Sequence, residues 1–139
     1  MRHITLVSLV VVVPILLAAA FASDKQHFDG KWETTLSCPN AQGALGYSYQ
    51  FTSTVTDGVL HGLHGTESQP GWLQIDGSIA PDGKASLYAK GRTGSKEHTV
   101  GGAPRGTDYG YNIDAQFTDS TGSGTRVEGR PCSVKFAKQ

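Results

Sequence analysis

Apolar and polar side chains alternate residue by residue over most of the chain. Phe28, Gly30, Trp32, Thr34, Leu36 and Cys38 fall on one side of a period of two, with Asp29, Lys31, Glu33, Thr35 and Ser37 on the other. Tyr47, Tyr49, Phe51 and Val55 alternate with Ser48, Gln50, Thr52 and Thr54. Asp57-Gly58 then marks a two-residue hairpin turn, because both central positions need positive φ, and Val59 to Gly65 is the returning strand. Leu73, Ile75, Gly77 and Ile79 share a face, Pro81-Asp82-Gly83 turns the chain, and Ala85, Leu87 and Ala89 share the next face. Tyr109, Tyr111, Ile113, Ala115 and Phe117 form the clearest alternation, and segments 125–130 and 132–137 complete a set of eight. No stretch after residue 22 carries a helical period, so these segments read as strands.

Eight short strands with turn signals between them predict an antiparallel barrel or a sandwich. In an up-and-down barrel the first and last strands are antiparallel neighbours. Cys38 ends the first and Cys132 opens the last, both on the apolar parity. An immunoglobulin-like sandwich would space its cysteines differently around a Trp, and Trp72 lacks the accompanying tyrosine-corner spacing. The expected fold is therefore all-β, a single eight-stranded antiparallel up-and-down barrel closed by a Cys38–Cys132 disulfide. Links 39–46, 66–71 and 91–106 gather at one end; Asp57-Gly58, Pro81-Asp82-Gly83 and a loop over 119–124 gather at the other. Long loops on a rigid scaffold commonly carry function, so the long-loop end is the candidate face.

The N-terminus changes the setting of this barrel. Met1-Arg2-His3 precedes an almost wholly apolar run from Ile4 to Leu17, and Ala20-Phe21-Ala22 precedes Ser23. A basic start, an apolar stretch and an A-x-A site describe a secretory signal peptide. The expected division is residues 1–22 as signal peptide and 23–139 as the β-barrel domain, periplasmic or secreted. Membrane association is expected only if the signal segment is retained, and Pro14 disfavours a spanning helix there. Export makes pairing of the two cysteines the expected state; the alternative is two buried free thiols.

Phe28-Asp29-Gly30-Lys31-Trp32 contains G-x-W, which resembles the first-strand signature of the calycin barrels, the lipocalins and avidins. That resemblance implies a Trp plugging the closed end with a basic side chain from a late strand packed over it, for which Arg126 or Lys135 would serve. The mature chain is short for a lipocalin and lacks its C-terminal helix. Thr107-Asp108-Tyr109 echoes a lipocalin motif one strand early. Avidin length fits better, but Glu33 stands where avidins carry Asn, and Trp72 is the only other Trp, so biotin binding is not expected. The pattern from FDGKW through GYSYQF to GRPCSVKF also resembles small secreted proteins of alphaproteobacteria, a likeness that spans the mature chain and implies no activity.

Charge and chemistry narrow the function classes. The chain balances 12 Lys+Arg against 12 Asp+Glu, and a nucleic-acid binder would need a basic excess. No phosphate loop, nucleophile elbow or cofactor motif is present, and although Asp76, Asp108 and Asp114 could supply a carboxylate pair, nothing in the sequence places two of them at catalytic separation. His61 and His64 point to opposite faces of a strand, so no metal site and no cofactor are expected. The expectation is a non-catalytic protein, not an enzyme, that binds a small ligand or an envelope protein at its long-loop end. Tyr47, His64, Trp72, Arg92, Arg105 and Tyr109 are the candidate contacts there. The alternative is a structural or inhibitor-like interaction module with a filled lumen. A cavity of several hundred Å³ would separate the two.

Overall fold

The computed structural model describes residues 26–139; the signal-peptide division at residue 22 lies outside them. Eight strands follow in chain order: β1 (Gly30–Cys38), β2 (Tyr47–Thr56), β3 (Val59–His64), β4 (Leu73–Ile79), β5 (Lys84–Arg92), β6 (Asp108–Phe117), β7 (Thr121–Arg126) and β8 (Ser133–Lys138). Each pairs antiparallel with the next, and β8 returns to β1, so the sheet closes into an up-and-down barrel. Among the described residues, closure leaves no edge strand open to pairing with another chain. The seam runs from Trp32 opposite Lys138 to Ser37 opposite Ser133. Cys38 and Cys132 are disulfide-bonded just beyond its upper end. The disulfide fits an extracytoplasmic protein. No helix among the described residues is long and apolar enough to cross a membrane.

The period of two sorts inside from outside. Trp32, Thr34, Leu36 and Cys38 are buried on β1, while Lys31, Glu33 and Ser37 are exposed. The apolar side faces the lumen and the polar side faces out, the reverse of a lipid-facing barrel. At the short-turn end, Asp57 (φ 51°) and Gly58 (φ 75°) both take the left-handed conformation. The Asp29 carboxylate accepts both their amides, at 2.9 and 3.1 Å. Trp32 is fully buried above this turn. Its Nε1 donates to Phe28 O at 2.9 Å, and Phe117 meets it edge-on at 5.3 Å.

The basic side chain over Trp32 is neither Arg126 nor Lys135. Lys138 places its Nζ 5.7 Å from the ring centroid. Lys138 shares the inward parity of Val134 and Phe136, whereas Lys135 is exposed on the other face. Above the plug, Leu60, Ile75, Leu87, Ile113 and Val134 are all essentially inaccessible to solvent. The buried hydroxyls of Thr34 and Ser53 bond each other at 2.7 Å, which satisfies the polar atoms among these apolar side chains.

One strand departs from the sequence reading. β7 runs over Thr121–Arg126, not 125–130, and the link expected over 119–124 shrinks to residues 118–120. The reason is packing. Gly122 and Gly124 face inward, where an added Cβ would lie 2.8 Å from the Phe117 ring or 3.0 Å from Ile113 Cγ2. Glycine in a strand marks such close approaches. The shift moves residues 127–132 into a link at the long-loop end and turns Arg126 into the lumen.

Candidate functional site

The lower lumen is solid; the upper lumen is not. A cavity of about 620 Å³ occupies the long-loop end. Strands β2 and β6 both enter the barrel from that end, so each contributes two inward tyrosines in its first turns of pleat. Tyr47 and Tyr49 lie with ring centroids 5.0 Å apart, and Tyr109 and Tyr111 lie nearly parallel at 6.1 Å. All four line the cavity. The β5–β6 link forms the roof, with His98, Val100 and Ala103 facing the chamber across two short 3-10 turns, Lys96–His98 and Val100–Gly102.

Three arginines reach this space, each held differently. Arg92 donates to the Asp108 carboxylate at 2.8 Å and to Ser68 O at 2.7 Å. Arg130 is buried and donates to Pro39 O, His98 O and Leu45 O at 2.8, 2.8 and 2.6 Å. Its guanidinium also lies 5.2 Å from the Tyr47 ring centroid. One side chain thus ties the β7–β8 link to the β1–β2 link and to the roof. Arg126 lies 4.2 Å over the Tyr111 ring. Among the described residues it enters no salt bridge, and its buried Nε has no hydrogen-bond partner.

The Arg130 hub makes a testable statement about the roof. Arg130→Ala removes three charge-assisted bonds and leaves three carbonyls to find other donors. The expected loss is about 2–3 kcal/mol of stability, at 1.5–3 kcal/mol for a hydrogen bond to a charged group with partial replacement by water. Amide hydrogen exchange should accelerate over residues 95–103 while β1 to β8 keep their protection. Unchanged exchange in that segment would contradict the hub.

Burial sets the chemistry of the tyrosines. Loss of hydration pushes the Tyr47, Tyr49, Tyr109 and Tyr111 hydroxyls above the usual phenol range, most strongly at Tyr109 and Tyr111. Mutual repulsion among their phenolates adds to this at Tyr47, Tyr109 and Tyr111, and Arg126 partly opposes it there. The hydroxyls therefore stay neutral and able to donate at physiological pH. Tyr111 is only 7% exposed, and its hydroxyl has no partner among the described residues.

Of the six candidate contacts, Tyr47, Arg92 and Tyr109 line the cavity. His64 lies behind it: its ring stacks on Tyr49 at 3.9 Å and 12°, and its Nδ1 is 3.2 Å from Gly71 O. Trp72 precedes Leu73 on the opposite parity, so it packs outside the lumen with Lys90 Nζ 6.0 Å from its ring. Arg105 is exposed in the β5–β6 link and does not line the chamber. His61 pairs with Asp76 on the outer surface, and the two histidines do not converge. With the seventh strand expected over 125–130, Arg126 is assigned to the plug at the closed end and Arg130 to no site; the observed β7 ends at Arg126 and brings both to the chamber. The signal that finds them is the T-G-S-G-T-R alternation, which puts Gly122, Gly124 and Arg126 on one face. Against family models, curated proteins and solved structures, the chain matches none.

Proposed function

We propose that this protein is a non-catalytic binding barrel, acting in the periplasm or outside the cell, whose upper lumen takes up a small amphipathic molecule. The observation that carries the reading is a lumen filled at one end and open to about 620 Å³ at the other. Small-molecule sites commonly have volumes of 300–1,000 Å³ and apolar walls with a few placed polar groups. Four tyrosines supply both: apolar ring faces and phenolic donors. The plugged closed end, with Trp32 under Lys138, supports kinship with the calycin barrels, and the disulfide supports export.

The test uses a neutral fluorescent amphiphile, N-phenylnaphthylamine. The purified protein should bind it saturably, one to one, with its emission shifted to the blue. Val100→Trp and Ala103→Trp place bulk on the roof, where neither residue belongs to the buried core. Each should weaken binding at least tenfold without lowering Tm. Non-saturable fluorescence, or equal binding by both variants, would contradict a lumenal site.

A further inference from the structure

The charged groups of the chamber do not balance. Its lining contains Arg92, Arg126 and Arg130 against one carboxylate, Asp108. Asp108 is engaged by Arg92, and Arg130 is spent on three backbone carbonyls. Among the described residues, Arg126 alone of the three has neither a carboxylate nor a carbonyl partner. It is held in place nonetheless, because the Tyr111 ring lies 4.2 Å beneath it. A cation stacked on an aromatic face is oriented by it. Setting a guanidinium partly out of water without a counter-charge is unfavourable, and an incoming anion would relieve that cost.

The register fixes where Arg126 leaves the sheet. Arg126 is opposite Ile113 in the β6–β7 ladder, and Ile113 is fully buried in the filled lower lumen. The Arg126 backbone therefore lies level with the chamber floor, and its guanidinium rises over the Tyr111 ring to lie beside Gly129 of the β7–β8 link. Tyr111 is the next inward residue toward the mouth on β6, and its buried hydroxyl is unpartnered. At the other end, Val100 and Ala103 give the roof an apolar underside. Arg92, Arg130 and His98 at the mouth are spent on protein partners, so the donors left free for a ligand are Arg126 and the Tyr111 hydroxyl.

We propose that the ligand is an amphipathic oxyanion, a carboxylate or a phosphate monoester with an apolar tail, inserted head first so that its acidic group pairs with Arg126. The Tyr111 hydroxyl donates a second bond, and the tail extends between the tyrosine rings toward the roof. This rests on the lumenal binding site proposed above and adds the ligand's chemical class and its orientation.

The experiment is displacement of N-phenylnaphthylamine by decanoate, decyl phosphate and decan-1-ol, which share a tail and differ in the head. At least one acid should displace the probe at a concentration roughly 10–100-fold below that of the alcohol, the range expected for a charge-assisted bond. The ratio of decanoate to decyl phosphate identifies the head group. Arg126→Gln should abolish the acid's advantage and Arg126→Lys should keep part of it, with circular dichroism and Tm confirming that each variant folds. Equal displacement by acid and alcohol, an advantage that survives Arg126→Gln, or no displacement by either acid would overturn the proposal while leaving probe binding intact. Failure of the probe itself to bind would overturn the lumenal site as well.

Discussion

Replacing Cys38 and Cys132 together by alanine should lower the unfolding free energy by about 4–5 kcal/mol. The bond closes a loop of 94 residues, and the chain-entropy relation assigns a loop of that length a stabilisation of about 4.7 kcal/mol. Domains of this size are commonly stable by only about 5–15 kcal/mol in total, so the variant should be close to unfolding at 37 °C. The location adds a second effect. The bond fastens the mouth end of the β1–β8 seam, and Pro39, next to Cys38, supplies one of the carbonyls that hold Arg130. Loosening the seam there should reduce probe binding before the barrel unfolds. Denaturant unfolding of the native protein and the double-alanine variant measures the first effect. A difference below about 1 kcal/mol would mean that the hydrogen-bonded seam closes the barrel without the crosslink.

The second large effect is alkaline. Tyr109 and Tyr111 carry hydroxyl pKa values raised by burial and then by neighbouring tyrosines. Above about pH 10 the unfolded chain's tyrosines lose their protons, while these two keep theirs in the folded barrel. The folded state then binds more protons than the unfolded state, so stability falls as pH rises. The contribution is fully present below pH 10 and is lost progressively on the way up to the folded-state values. Two such groups give a slope of about 3 kcal/mol per pH unit, at 1.36 kcal/mol each. Unfolding free energies measured between pH 9 and 11 should show this limb, and Tyr109→Phe with Tyr111→Phe should flatten it. An unchanged slope in the double variant would place the alkaline sensitivity elsewhere.

Most of the barrel is legible in the sequence because a closed antiparallel sheet with a packed interior enforces a strict period of two. The alternation on β1, β2 and β6 gives the inward faces directly, and the parity of the two cysteines closes the ring. β7 escapes because its inward positions include two glycines, which carry no apolar signal and read as a loop. They are glycine because Phe117, Ile113 and Ala115 fill the space a side chain would take. That single slip of position puts Arg126 at the wrong end of the barrel and leaves Arg130 without a role. Trp72 shows the opposite failure: a large aromatic near the mouth invites a binding role, yet its parity with respect to Leu73 points it out of the lumen. Lys138 over Trp32 lies one residue beyond the alternating segment 132–137, in the added residue of β8 that the seam pairs with Trp32. The roof is the least legible part. Arg130 joins it to residues 85–91 positions away, and nothing local to the chain encodes such a contact.

Native mass spectrometry of the purified protein, after incubation with a small-molecule extract of its source cells and medium, tests the central claim most directly. The account predicts one bound species of a few hundred daltons per chain, acidic and released on denaturation, with occupancy reduced by Arg126→Gln and by Ala103→Trp. A spectrum that holds only the bare chain mass across the full extract would contradict a small-molecule binding barrel.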